Sequence, residues 1–265
     1  MLFQQSDLVG EKGLDEDGRS MKYVKFLQDS GLFSFSSKLK SFFQTEELKT
    51  IGIEEGGACF GLCLDWGRRI LLERSGYFAK KFNPKKGAHA RKKLLEKAYA
   101  IQTAAEKARL NSNVSLSEVG LKDAYSAMVG SLQKVKPSGY KLPLLTLSRS
   151  QLTLQGDNTW AHYSDMYTKL SSALGLLKGG AGMIISFVPY SYGPAGHSVG
   201  VVHPKNSMLY FDPNIGQREF TSHVADNVAD AASASWVCNY QHCRILRMET
   251  VNVKDTSDDG KEEIM

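Results

Sequence analysis

Two rhythms of apolar positions divide the chain. The first is helical. Leu62, Trp66 and Ile70 stand four apart after Cys59, with Cys63 and Leu71 beside them. Asp65, Arg68, Arg69 and Glu73 are expected to face away from that stripe. Asn83-Pro84-Lys85-Lys86-Gly87 interrupts the pattern, and the Ala-, Leu-, Lys- and Glu-rich run from Ala88 to Leu110 favours another helix. Ser115-Leu116-Ser117-Glu118 resembles a capped start for a helix reaching about Val135. A turn region spans Pro137 to Pro143, and Trp160 to Leu177 reads as a helix closed by Gly179-Gly180.

The second rhythm is that of strands. Met183 to Val188, Ser198 to His203 and Met208 to Phe211 read as three strands, the last two joined by the Pro204 to Ser207 turn. Thr221 to Trp236 reads as helix, and Cys243 to Val253 alternates as a closing strand. Helices followed by an antiparallel sheet predict an α+β fold. Residues 1–45 carry no strong signal beyond a loop at 15–20 and a short helix between Tyr23 and Phe43, and are read as an arm. The acidic stretch 255–265 is read as a disordered tail, leaving 46–254 as the domain.

Composition changes this picture little. The 265 residues are 42% hydrophobic and carry a net charge of +5, enough apolar content for a real core. Gly179 to Tyr190 is the longest near-apolar run and is too short to span a membrane. Met1-Leu2-Phe3-Gln4-Gln5 lacks the basic start and apolar core of a secretory signal. Four cysteines are too few for a disulfide scaffold at this size, so reduced thiols are expected. The positive charge gathers between Lys80 and Lys97, which suggests a solvated face or a contact with an anionic surface. Aromatic residues stand only at the edge of that cluster, so nucleic acid is not expected as a partner.

Chemistry enters at Gly56-Gly57-Ala58-Cys59, where a cysteine follows a small-residue turn and opens a helical pattern. The positive end of a helix stabilises a thiolate, which makes Cys59 a candidate nucleophile. Its base would be an imidazole within hydrogen-bond reach, oriented by a third group. His197 opens one strand and Asp212 ends the next, and an antiparallel hairpin brings such positions together. Cys63, one turn beyond Cys59, is read as a packing residue. A zinc site from Cys59, Cys63, Cys238, His242 and Cys243 is the competing reading, but the spacings depart from the usual two-residue knuckle. No metal and no cofactor is expected.

Three blocks then stand out: Gly57-Ala58-Cys59-Phe60-Gly61-Leu62-Cys63-Leu64-Asp65-Trp66, Gly196-His197-Ser198-Val199-Gly200 and Leu209-Tyr210-Phe211-Asp212-Pro213-Asn214-Ile215-Gly216. They resemble the blocks of the YopT/AvrPphB family of bacterial effector cysteine peptidases. The resemblance implies a papain-like fold, a helical part followed by a central antiparallel sheet, with Cys59, His197 and Asp212 as the triad. It further implies a thiol protease passed by a bacterial secretion system into a host cell, where it cleaves particular host proteins, and that some members process themselves. It also implies a Gln or Asn donor shortly before the nucleophile. Here Ile53-Glu54-Glu55-Gly56-Gly57 holds none, and a carboxylate donates only when protonated. The oxyanion hole is then expected to use the Cys59 N–H and a donor from elsewhere. Glutamine deamidation or transglutamination by the same triad, and a non-catalytic interaction module, remain as alternatives.

Overall fold

The computed structural model describes residues 40–53, 57–71, 88–111, 144–189, 196–204 and 206–254. The 115–135 helix, the acidic tail, most of the arm, Glu54, Glu55 and the lysines at 80, 81, 85 and 86 lie outside these. In chain order the described elements are β1 (Lys40–Ser41), α1 (Gln44–Lys49), α2 (Cys59–Leu71), α3 (Ala88–Asn111), β2 (Leu144–Thr153), α4 (Thr159–Gly175), β3 (Ala181–Pro189), β4 (His197–His203), β5 (Met208–Asp212), β6 (Gly216–Phe220), α5 (Val224–Asn239) and β7 (Cys243–Lys254). Among the described residues no helix is long and apolar enough to cross a membrane.

The strands form one sheet of seven in the order β1-β6-β5-β4-β3-β7-β2, and every neighbouring pair is antiparallel. β3 to β6 run as a meander, and β7 returns to lie between β3 and β2. Because strand side chains alternate, each central strand feeds two cores. Met183, Ile185 and Phe187 of β3 join Val199, Val201 and Tyr210 under α4 and α5. Ile184 joins Val202, Leu209 and Phe211 under α2 and α3. Burial on both faces explains why β3 reads as a near-apolar run.

The helix α2 is where the polarity pattern misleads. Its residues are buried from Ala58 through Trp66, Asp65 included at 2% exposure. At Asp65 the expected solvent face is covered by α3, whose Lys97 Nζ donates to Asp65 Oδ1 at 3.0 Å. Asp65 is therefore a buried ion-pair partner rather than a surface residue. The two helices touch closely at Gly61, where an added Cβ would stand 2.0 Å from the Ala98 carbonyl oxygen. On its inner side α2 presses Trp66 against Phe211, ring centroids 5.3 Å apart, and Trp66 Nε1 donates to Gln217 Oε1 at 2.8 Å.

Residues 40–45, assigned above to the arm, are part of the packed domain. Lys40–Ser41 pairs with β6, Phe42 is buried against Phe211, and no helix covers residues 40–43. The Phe42 N–H donates to the Ile215 carbonyl (3.1 Å) and the Gln44 N–H to the Pro213 carbonyl (2.8 Å). This segment thus runs beside the turn that follows β5.

Candidate active site

Gly57 and Ala58 offer no side-chain acceptor, so the first backbone N–H groups of α2 need partners from elsewhere. Two glutamines supply them. Gln44 Oε1 accepts from the Ala58 N–H and Gln102 Oε1, on α3, from the Phe60 N–H, both at 3.0 Å. The Cys59 N–H, between these two, is taken by neither glutamine. The helix start is thus pinned on both sides of Cys59.

The sheet meets this helix end through Ser198. Its N–H points at the Cys59 sulfur, and its carbonyl accepts from Cys63 Sγ at 3.4 Å. Two sulfurs one turn apart are held by one residue of β4. His197 precedes that residue and is itself buried at 3% exposure. Its Nε2 lies 2.9 Å from Asp212 Oδ1, so Nδ1 is the ring nitrogen left for the Cys59 thiol, to which the ring is hydrogen bonded. Gly196 allows the strand to start there: an added Cβ would fall 2.0 Å from the Phe187 carbonyl oxygen.

Asp212 ends β5 fully enclosed. Besides His197, its Oδ1 accepts from the Asn214 N–H and its Oδ2 from the Ser235 hydroxyl of α5, each at 2.9 Å. A buried carboxylate stays ionised only when its oxygens are satisfied. Here burial pushes its pKa up, but the charge and hydrogen bond of His197, then Asn214 and Ser235, bring it below the ordinary value. His197 is governed by the same pair. Burial disfavours its charge, and the Asp212 charge and hydrogen bond, with Cys59, lift it to about 10. For Cys59 burial again opposes the charged form. Its hydrogen bond to His197 and the His197 charge, followed by the Ser198 and Phe60 N–H groups, lower the thiol below its usual value.

Cys63 behaves in the opposite way. Burial, then the charges of Cys59 and Asp212, hold its thiol well above the ordinary value, as suits a core residue. Cys243 lies across the sheet in the α4/α5 core, and burial pushes it up to about 12. The zinc reading thus draws on cysteines from opposite sheet faces. Among the described residues no group of three or more His, Cys, Asp and Glu is arranged to hold a metal ion.

All three residues expected to form the site are therefore brought together. The pattern did not disclose their supports: Gln44, Gln102, Ser235 and Tyr240. Tyr240, just past α5, stacks on the His197 ring with centroids 4.7 Å apart and planes 9° from parallel.

The crystal structure of the Pseudomonas avirulence protein AvrPphB aligns with this arrangement at a TM-score of 0.54 and 13% identity, covering 84% of this chain and 100% of that one. The chain has the AvrPphB fold. PatoxP, a cysteine protease-like domain of the Photorhabdus asymbiotica toxin PaTox, matches at a TM-score of 0.39 and 14% identity, covering 89% of this chain and 61% of that one. The sequence matches no protein-family model and no curated protein. The likeness to AvrPphB bears on the architecture, which is the α+β arrangement expected from the order of helices and strands. At 13% identity the chemistry has to be argued from this chain's own residues.

Proposed function

We propose that the chain is a cysteine-type endopeptidase acting as a bacterial effector on host proteins. One observation carries the reading. A buried line of Cys59, His197 and Asp212 holds its thiol below and its imidazole above their ordinary pKa values. In the proposed cycle the Cys59 thiolate attacks a peptide carbonyl carbon. The C–S bond forms as the carbonyl π electrons move to oxygen. The Cys59 N–H, at the positive end of α2, is the donor assigned to that oxygen. When the tetrahedral intermediate collapses, the C–N bond breaks and His197 gives its proton to the leaving amine. A water deprotonated by His197 then opens the thioester, releasing the carboxylic acid and restoring the thiol. Asp212 keeps His197 in the required tautomer and offsets its charge.

Delivery into a host cell through a bacterial secretion system belongs to the same proposal, by analogy with the avirulence protein that shares the fold. The test is mass spectrometry of host-cell lysate exposed to wild-type and Cys59→Ala protein. New peptide termini made by the wild type alone are the expected result. Equal cleavage by Cys59→Ala overturns the proposal. A target that stays whole and gains about 1 Da moves the same thioester chemistry to side-chain deamidation.

A further inference from the structure

A second set of contacts joins the same segments behind the line of Cys59, His197 and Asp212. It begins at the Ala58 N–H, which donates to Gln44 Oε1 at 3.0 Å. Gln44 Nε2 donates to Asn214 Oδ1 at 2.6 Å. Asn214 Nδ2 donates to Tyr240 Oη at 2.9 Å. The Tyr240 ring then lies flat against His197. Each hydrogen bond runs donor to acceptor in one direction, an order in which neighbouring bonds polarise one another.

The chain of contacts links the segments that carry the three residues of the site. Ala58 precedes the nucleophile, and Asn214 lies two residues past Asp212, whose Oδ1 its own N–H holds. Tyr240 follows α5, the helix that supplies Ser235. Gln44 sits between the two loops at 7% exposure, with its backbone N–H tied to Pro213. An imidazole held only by Asp212 could still swing about that bond. A ring stacked parallel to it removes that freedom, and the stack also suits the imidazolium, since an aromatic face attracts a cation.

We propose that Gln44, Asn214 and Tyr240 are positioning residues that fix the His197 ring plane against the Cys59 thiol. This rests on the peptidase reading of the site and deepens it. None of the three is asked to touch substrate. They act through His197, which the chain links to the far side of the nucleophile's own turn. Polar amides at Gln44 and Asn214 are well suited to this task, because each offers an acceptor on one side and a donor on the other.

The test reads the pH dependence of Cys59 alkylation by iodoacetamide, which needs no substrate. Wild type, His197→Ala, Asn214→Ala, Gln44→Ala, Tyr240→Leu and Tyr240→Phe are compared, with denaturant unfolding of each. Asn214→Ala is the central variant, since it adds no charge and retains the backbone N–H that holds Asp212. Loosening His197 weakens the hydrogen bond and charge that lower the Cys59 thiol. Asn214→Ala and Tyr240→Leu are expected to raise the alkylation midpoint by about one pH unit, so that labelling well below the midpoint slows about tenfold. Tyr240→Phe keeps the ring but loses the same Asn214 hydrogen bond, so it should shift the midpoint about as far as Asn214→Ala. The Gln44→Ala/Asn214→Ala double variant should shift it no further than the larger single change, as expected of links in one chain.

An unmoved midpoint in folded Asn214→Ala and Tyr240→Leu proteins, with lower stability alone, overturns the positioning role. If His197→Ala shifts the midpoint in that case, the triad reading survives. If His197→Ala also leaves it unmoved, the triad reading falls as well.

Discussion

A Cβ built on Gly196 would meet the Phe187 carbonyl oxygen at 2.0 Å and the Pro189 ring at 3.3 Å. The carbonyl is backbone of β3 and cannot rotate away, so Gly196→Ala must push the start of β4 off its neighbour. His197 is the next residue and moves with it. We expect a loss of about 1–3 kcal/mol from overpacking, with neutral-pH alkylation of Cys59 falling in parallel; unchanged alkylation would show that His197 keeps its place. Ser235→Ala tests the other end of the line. It strips a donor from a buried oxygen of Asp212, at a cost of about 1–3 kcal/mol. The sign with pH follows from the lowered Asp212 pKa. Its contribution is present above the unfolded value of 3.8 and is lost as pH falls through the folded value. Without Ser235 that folded value rises, so acid unfolding followed by circular dichroism should begin at higher pH than in the wild type.

Within α2, two glycines six residues apart should respond to the same substitution with opposite signs. At Gly61 an added Cβ would stand 2.0 Å from the Ala98 carbonyl oxygen, which is α3 backbone. At Gly67 the nearest atom is Val202 Cγ2 at 3.6 Å, an ordinary contact. Gly61→Ala is expected to destabilise by about 1–3 kcal/mol as α3 is displaced. Gly67→Ala is expected to stabilise by about 0.5–1 kcal/mol through backbone entropy alone. Urea midpoints of the two variants decide this, and equal shifts would mean that α2 and α3 are not packed as described. The same helix shows where pattern reading stops. Cys59, Leu62, Trp66 and Ile70 announced the helix and one buried face, but nothing local announces that α3 covers Asp65. Among strands, β3, β4, β5 and β7 were legible because each is apolar or alternates. β6 was missed because Gln217 and Arg218 are buried yet polar, and β2 because a strand with Ser148, Arg149, Ser150 and Gln151 owes its form to pairing with β7 about a hundred residues away. The three reactive residues were readable from their short blocks. Gln44, Ser235 and Tyr240 were not, because their roles come from contacts between distant segments.

At the scale of the whole molecule, Cys59 and His197 join a helix on one side of the sheet to a strand within it, and their shared proton governs how stability follows pH. His197 has its folded pKa raised to about 10 from 6.5. Its contribution is fully present below the unfolded value and is lost as pH rises through the folded one. Cys59 has its folded pKa lowered from 9.0, so its contribution is present above that value and is lost as pH falls through the folded one. Between about pH 7 and 8.5 the unfolded chain carries one proton on these two groups, on the thiol. The folded chain keeps His197 protonated in this window, because its pKa is raised to about 10, and Cys59 ionises more readily than in the unfolded chain. The proton His197 takes up on folding is offset by the ionisation of Cys59, so the wild type should lose stability with rising pH less steeply than His197 alone would dictate. Removing the sulfur removes that offset. In Cys59→Ala, His197 still faces Asp212 and still binds a proton that the unfolded imidazole has released. Stability of that variant should fall as pH rises, with a limiting slope of ~1.4 kcal/mol per pH unit. Denaturant unfolding of both proteins at several pH values in the window measures the difference. Parallel curves for the two would show that Cys59 and His197 do not share a proton, and would remove the electrostatic basis of the proposed nucleophile.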